Sequence, residues 1–243
     1  EAGTASKTVR QLEFFLLERY DPGKAADLLA EYVEKNPEDH IARLMLCSCQ
    51  LRTGRLDVAD LNLTHLPSAK DIDPRQGEGI ISLLIEHGRT QEAREYAYQL
   101  VRYHYNSMEA HRAFCSTFFQ VPDEPDSADI SLVTVRPGVA VAFSPVDRNE
   151  VEWIVIEDGP DPQLKLDEYP PSHPWCQVVL GKAVGEKIPL PGSGYPKQFA
   201  TVKAIDSKYA YRLRDSFQQM TKAYADQTGW AQIHTPRLDH ENL

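Results

Sequence analysis

Cysteine and histidine are the residues of this chain whose chemistry could serve catalysis or metal binding. The sequence contains four Cys and eight His. Cys47 and Cys49 are separated by a single residue, which is too close for the usual spacing of zinc ligands. His104 and His111 lie seven residues apart without acidic neighbours in a matching frame, which favours structural roles. With no Gly-rich phosphate loop, nucleophile elbow or His-Glu-x-x-His motif, we expect no catalytic residue, metal or cofactor.

The elements that position these residues follow a 34-residue period through the first half of the chain. The dipeptide Gly54-Arg55 recurs one period later as Gly88-Arg89. A helix-turn-helix unit of this length cannot bury its apolar face alone and must stack on its neighbours. The same spacing joins the small residues Ala25, Ala59 and Ala93, the apolar residues Leu12, Leu46, Ile80 and Phe114, the column Leu29, Leu63 and Ala97, and the column Cys47, Ile81 and Cys115. We therefore expect Cys47 and Cys115 to be buried free thiols.

This pattern resembles the tetratricopeptide repeat (TPR) over roughly residues 6–120, and Asn36-Pro37 closes the first unit as the late proline of that family does. Asp71 and Tyr105 replace the later prolines, and the early tryptophan of the family is missing. The resemblance implies a helical solenoid with a peptide-binding groove. Recurring Arg in that groove suits a carboxylate-bearing segment, and the alternative occupant is the linker or tail helix of the same chain. The groove positions are Arg10, Ser48, Arg75, Glu78, Ser82, Arg112 and Ser116.

The pattern changes after the repeat domain at 1–120. Residues 121–130 are rich in Pro and acid, which predicts a linker, and short β-rich runs then fill the segment 131–206. The expected strands are 131–135, 138–143, 151–157, 177–179 and 198–205. The last part, 207–243, begins with a predicted amphipathic helix at 207–225 that should dock through Tyr211, Phe217, Met220 and Tyr224.

One segment of the second half, 173–186, carries a specific pattern. It resembles the C-terminal domain of the GreA/GreB transcript-cleavage factors over about residues 138–206. The resemblance implies an FKBP-like α+β fold with a curved antiparallel sheet against one short helix. The two glycines of the pattern have a structural explanation. We expect a short helical turn to end at Gly181 and the chain to reverse direction at Gly185. Pro174, Val179, Leu180, Gly181, Lys182, Val184 and Gly185 keep the family pattern, whereas His173, Cys176, Gln177 and Glu186 depart from it.

The Gre resemblance implies docking on RNA polymerase without cleavage of its transcript. Gre factors act through acidic residues at the tip of a long coiled coil, and the heptad repeat of a coiled coil is missing here. The docking residues would be Pro174, Trp175, Gln177 and Lys182. Trp175 is either the exposed anchor of this contact or a core tryptophan. Prolyl isomerase activity is the enzymatic alternative that an FKBP-like fold suggests, with a pocket of Phe143, Trp153, Trp175 and Phe199.

Composition narrows the function further. The net charge is −10, and Lys and Arg occur singly among acids, which disfavours direct binding to nucleic acid. No apolar run approaches the ~18 residues of a membrane span, and no secretory signal is visible, so we expect a soluble cytoplasmic protein. Because residue 1 is Glu, we expect a piece of a longer chain. TPR and Gre-type domains resemble parts of larger bacterial proteins, some with a PIN-type nuclease. We expect a non-catalytic, transcription-associated scaffold that binds proteins.

Overall fold

The computed structural model describes residues 17–121, 134–145, 151–191 and 198–228. The chain divides into two compact units, Glu1–Glu124 and Pro125–Leu243, which are described separately below. Arg10, most of the predicted linker and the tail after residue 228 lie outside the described residues.

The first unit consists of helices whose boundaries repeat with the period of the sequence. Residues 17–20 are helical. Two alternating sets follow: α1 (Pro22–Lys35), α3 (Leu56–Leu63) and α5 (Thr90–Tyr103), and between them α2 (His40–Arg52), α4 (Pro74–Glu86) and α6 (Met108–Gln120). Within each set the first residues of successive helices are separated by one full period, and α2, α4 and α6 each contain 13 residues. Helix α3 is the exception, since it has 8 residues where α1 and α5 have 14.

Local interactions at the helix ends explain this regular spacing. Asp39, Asp73 and Ser107, which occupy the same position of successive repeats, accept backbone N–H groups at the starts of α2, α4 and α6. Gly54 and Gly88 follow α2 and α4 with φ of 72° and 74°, in the left-handed region that favours glycine. Each glycine allows the next residue to close the helix, because the backbone nitrogens of Arg55 and Arg89 each lie 2.8 Å from a carbonyl oxygen five residues earlier.

The predicted columns form the core of this unit. The Ala column, formed by Ala25, Ala59 and Ala93, is fully buried. In the apolar column, Leu46, Ile80 and Phe114 each expose at most 2% of their surface. Cys47 and Cys115 are buried free thiols, as expected from their column, and so are Cys49 and Cys176. Small side chains at the Ala positions let neighbouring helices pack closely. The sequence therefore predicted the helical repeat and its described core positions correctly, and Leu12 of the apolar column lies outside the described residues.

In its described residues, the second unit combines a five-stranded sheet with two helices. Its elements are β1 (Val139–Pro145), β2 (Glu152–Ile156), a 3-10 turn (Leu164–Leu166), β3 (Glu168–Tyr169), α7 (Pro174–Val179), β4 (Lys187–Pro189), β5 (Phe199–Ser207) and α8 (Lys208–Thr228). The sheet order is β3-β2-β1-β5-β4, antiparallel throughout except for the β2/β3 pair. This is an α+β arrangement. The strands expected at 138–143, 151–157 and 198–205 are present as β1, β2 and β5.

One strand prediction is wrong, and another falls mostly outside the described residues. Residues 177–179 belong to helix α7, because Pro174 starts the helix and His173 Nδ1 accepts the N–H of Trp175 at its beginning. The apolar Val178-Val179 pair suggested a strand, but it packs one side of this short helix against the core. Of the segment 131–135, only residues 134 and 135 are described, and Thr134 forms a single bridge with Ala183.

Helix α8 packs on its own unit through a polar stripe. Lys208, Arg212 and Ser216 are buried at i, i+4 and i+8, whereas Phe217 is exposed and Tyr211 is half-buried. Lys208 Nζ lies 3.0 Å from Glu157 Oε1 and 2.7 Å from Asp158 Oδ1. Of the predicted docking residues, Tyr211 packs half-buried against Trp153 and Met220 is half-buried, whereas Phe217 is exposed. The side chain of Tyr224 lies outside the described residues. The prediction missed the polar stripe, which contacts carboxylates beside the sheet.

Candidate partner-binding surfaces

The predicted groove residues lie on one surface of α2, α4 and α6 in the first unit. Ser48, Ser82 and Ser116 form a column at the same position of successive repeats, exposed or half-buried. Their hydroxyls are engaged locally: Ser48 Oγ donates to Glu18 Oε1 at 3.0 Å, Ser82 Oγ donates to the Glu78 carbonyl at 3.0 Å, and Ser116 Oγ accepts from Gln120 at 2.6 Å. Arg10 lies outside the described residues. The described part of this surface is polar.

Two ion pairs connect equivalent positions of neighbouring repeats on this surface. Arg75 Nε lies 3.6 Å from Glu109 Oε1, and Arg112 Nη2 lies 3.5 Å from Glu78 Oε2. Both pairs are exposed to solvent, so each contributes little to stability. Glu109 was not among the predicted groove residues, although its position one repeat after Arg75 is a signal in the sequence. The arginines expected to bind a partner's carboxylate therefore already face carboxylates of this chain.

Glu109 is held in its charged form by several hydrogen bonds. Its own backbone N–H and the Ser107 hydroxyl, at 2.9 Å, lower the pKa of this carboxyl, and Arg75 adds to the effect. Ser107 is also the cap of α6. Glu109 is thus a fixed negative charge beside Arg75 at neutral pH.

The predicted docking residues of the second unit lie on α7 and the turn after it. Pro174 and Gln177 are exposed, and Gln177 Nε2 donates to the Pro171 carbonyl at 2.7 Å. Trp175 is half-buried, and its ring stacks on that of Phe143 with centroids 5.1 Å apart and an angle of 20° between planes. Trp175 therefore packs at the edge of the core and leaves part of its side chain exposed. This finding favours the core alternative over a freely exposed anchor.

Lys182 belongs to a turn that is fixed by Glu186. Lys182 Nζ lies 3.0 Å from Glu186 Oε1, and the Ala183 N–H donates to Glu186 Oε2 at 2.7 Å. The Ala183 N–H first, and then Lys182, lower the pKa of the Glu186 carboxyl. Gly181 and Gly185 flank the turn with φ of 76° and 90°. Glu186, where the sequence departs from the Gre pattern, thus has a local structural role.

The four aromatic residues considered for an isomerase pocket do not converge. Phe143 and Trp175 stack on the face of the sheet that α7 covers. Trp153 pairs with Ala142, the strand neighbour of Phe143, so its side chain is on the opposite face. There it packs 5.4 Å from the ring of Tyr211, with the Arg214 guanidinium 4.9 Å from its centroid. Trp153 therefore does not share a pocket with Phe143 and Trp175, which the isomerase alternative would need.

Histidines and cysteines have structural positions. His104 Nε2 lies 2.9 Å from the Ala69 carbonyl, and His111 Nε2 lies 2.7 Å from the Tyr105 carbonyl. Burial raises the pKa of each of the four thiols to about 11, so they are protonated at neutral pH. Within the described ranges, no three His, Cys, Asp or Glu side chains are grouped to hold a metal ion. No helix among those same residues has the length and apolar character to cross a membrane.

Comparisons with known proteins give distant structural neighbours. No family model matches the chain, and no curated protein matches it. The structure named MamA MSR-1 C2 is similar at 17% identity and a TM-score of 0.34, over 49% of this chain and 66% of that one, so this chain spans just under two thirds of its length. A GreA/GreB transcription elongation factor from Nitrosomonas europaea is similar at 18% identity and a TM-score of 0.28, over 49% of this chain and 92% of that one. The Gfh1 protein of Thermus thermophilus is similar at 17% identity and a TM-score of 0.27, over 75% and 94% of the two chains.

Proposed function

We propose that this chain is a non-catalytic scaffold whose first unit is a TPR-type array that binds an extended segment of a partner protein. The observation that carries the proposal is the strict repeat register of α2, α4 and α6, with one serine of an exposed or half-buried column on each helix. A regular array presents the same position at regular intervals along one surface. That geometry matches a ligand that is itself extended.

The groove chemistry favours a partner segment that bears carboxylates. Arg75 and Arg112 are both exposed, and their guanidinium groups lie 3.6 Å and 3.5 Å from the carboxylates they face. These distances are longer than those of charge-assisted hydrogen bonds, so a partner's carboxylate that binds bidentately would form the stronger contact. The partner would replace weak, solvent-screened pairs with close ones.

The test of the array is a pull-down of the full chain from bacterial lysate, read by mass spectrometry. The Arg75→Ala/Arg112→Ala variant should lose the specific partner because both guanidinium groups are removed. The matched control is Lys35→Ala/Arg55→Ala, which removes two exposed charges outside the groove residues and should retain the partner. An unchanged partner list in the groove variant, or an equal loss in the control, would contradict a groove on α2, α4 and α6.

We further propose that the second unit docks RNA polymerase without stimulating transcript cleavage, which would place the protein in the bacterial cytoplasm. The Gre-like pattern supports this role, since Pro174 and Gln177 present exposed side chains on α7. The described helices before the sheet have 8 to 14 residues, much shorter than a projecting coiled coil requires. The docking and cleavage functions of the resembled family are therefore separable in this chain.

A competition assay on backtracked polymerase complexes tests the docking proposal. The full chain should displace a Gre factor and leave the RNA uncleaved, and Pro174→Ala/Gln177→Ala should compete less well with its fold unchanged. Lys165→Ala/Lys187→Ala, at exposed positions outside α7, is the control. Metal-dependent cleavage would overturn the non-catalytic assignment, and failure to compete would overturn the polymerase assignment.

A further inference from the structure

A cleft of about 380 Å³ opens among α1, α2 and α3 of the first unit, and none of the groove residues named above lines it. Its volume falls within the ~300–1,000 Å³ that is typical of small-ligand sites. The walls combine aliphatic and polar side chains. The aliphatic residues are Ala30, Val33, Pro37, Leu46 and Val58, and the polar ones are Glu34, Arg43, Gln50 and Asn62.

The cleft exists because the second repeat differs from the third at one packing position. Arg43 and Gly77 occupy equivalent positions of the two repeats. At Gly77, the side chain of Leu100 fills the space, since a Cβ there would lie 2.6 Å from Leu100 Cδ2. Leu66 is the counterpart of Leu100, but α3 ends at Leu63, and Leu66 does not line the cleft. The early end of α3 thus leaves the space beside Arg43 open.

Arg43 is a buried cation without a carboxylate partner in the described part of the chain. Only 9% of its surface is exposed. Nη2 donates to the Pro37 carbonyl at 3.0 Å and Nη1 to Asn62 Oδ1 at 3.4 Å, whereas Nε has no hydrogen-bond partner. The buried cations of the second unit, Lys208 and Arg212, each contact two carboxylates. A buried charge that lacks a counter-ion is costly, which makes the site receptive to an anion.

The neighbouring amides are oriented to support this role. Asn62 Nδ2 donates to Gln50 Oε1 at 3.2 Å and to the Val58 carbonyl at 3.1 Å, so Asn62 presents its oxygen to Arg43. Because the Gln50 oxygen accepts this bond, its amide nitrogen remains as a second donor on the same wall. Glu34 lines the cleft but is exposed, and it is not within ion-pair distance of Arg43.

We propose that this cleft is a binding site for a carboxylate carried on a short aliphatic group. Arg43 would supply the positive charge that binds the carboxylate, and Val33, Leu46 and Val58 would contact the aliphatic part. The same chemistry is offered by a free branched-chain acid and by an aliphatic C-terminal residue of a protein. The cleft and the peptide groove have no residue in common.

The test is a nuclear magnetic resonance titration of the isotope-labelled full chain with N-acetyl-leucine, compared with uncharged N-acetyl-leucinamide. The acid should shift the Arg43 Nε–H and Asn62 amide resonances saturably, and the amide should not. Arg43→Gln should weaken binding by about tenfold or more, as expected when a hydrogen bond to a charged group is lost. Arg55→Gln, which removes an exposed charge outside both the cleft and the groove, should bind as the original chain does.

A second variant tests the proposal independently, in case Arg43→Gln does not fold. Val58→Trp fills the cleft from its half-exposed rim and should abolish binding while Arg43 keeps its bond to Pro37. Equal shifts with acid and amide, binding that survives Val58→Trp, or no saturable shift would overturn the proposal. A leucine-terminated peptide that binds more tightly than N-acetyl-leucine would identify a protein C-terminus as the source. Equal affinities would identify a small acid.

Discussion

Arg212 and Glu168 form a buried ion pair that fastens α8 to the second unit. Arg212 Nη2 lies 2.9 Å from Glu168 Oε1, and the two side chains are 2% and 0% exposed. Arg212 also contacts Asp215 at 2.6 Å, and Glu168 Oε2 accepts the Gln163 N–H at 3.0 Å. Both groups of the pair thus have further hydrogen-bond partners, which is the condition under which a buried pair is tolerated.

Arg212→Met should destabilise the second unit by about 3–5 kcal/mol, because it leaves Glu168 buried without its cation. Arg212→Met/Glu168→Met should recover most of that loss. All three tryptophans lie in the second half of the chain, so denaturant unfolding followed by tryptophan fluorescence reports on this unit. If the double variant is as unstable as the single one, the pair is not the cause of the loss.

Two glycines of α4 should respond oppositely to substitution by alanine. Gly77→Ala places a Cβ 2.6 Å from Leu100 Cδ2 and should cost about 1–3 kcal/mol through overpacking. Gly79→Ala meets nothing within 4 Å and should stabilise the array by about 0.5–1 kcal/mol through helix propensity. Thermal unfolding followed by far-UV circular dichroism measures both. Equal effects at the two positions would contradict the packing of α4 against α5.

The repeat was predictable from the sequence because its information is local and periodic. The Ala column sets where neighbouring helices pack. Gly54 and Gly88 set where helices end. The early end of α3 was not foreseen, although Pro67 carried a signal. The ring of Pro67 removes a backbone donor and disfavours helix at the residue before it, so α3 cannot continue through this segment.

The second unit was harder to predict because its decisive contacts join residues distant in sequence. Lys208 and Glu157 are 51 residues apart, and nothing local marks Lys208 as buried. The predicted docking face of α8 rested on a local pattern alone, the helical spacing of Tyr211, Phe217, Met220 and Tyr224. In the groove, by contrast, the Arg75–Glu109 pair follows the repeat period and could have been found from opposite charges at that spacing.

Trp175→Ala should weaken the second unit itself as well as any partner contact. The substitution removes a ring that stacks on Phe143, and aromatic truncation in a core costs about 3–5 kcal/mol when the residue is fully buried. Since Trp175 is half-buried, we expect about half of that loss. Trp175→Phe should preserve the stack. Unfolding monitored by near-UV circular dichroism distinguishes the two variants, and an unchanged midpoint for Trp175→Ala would show that the ring is not part of the core.

Neutralising the acidic partners in the groove should strengthen binding of a carboxylate-bearing segment. In Glu78→Gln/Glu109→Gln, the guanidinium groups of Arg112 and Arg75 no longer face carboxylates. Each exposed pair is worth at most ~1 kcal/mol, so the two changes should raise affinity for the captured partner by severalfold. Asp27→Asn/Asp57→Asn makes the same change in net charge at exposed positions outside the groove. Calorimetric titration compares them, and a decrease in the groove variant would mean that Glu78 or Glu109 itself binds the partner.

The four buried thiols should make the folded chain resistant to alkylation and sensitive to alkaline pH. Burial raises the pKa of each thiol from 9.0 to about 11, so the folded form stays protonated where the unfolded form ionises. The unfolded state therefore binds fewer protons in this window, and stability should be complete below pH 9 and decline as the pH rises from 9 to about 11. Iodoacetamide should label none of the four thiols of the native chain at neutral pH, whereas Ser82→Cys adds an exposed thiol as the positive control. Rapid native labelling of Cys47 or Cys115 would show that the helices open around their shared column.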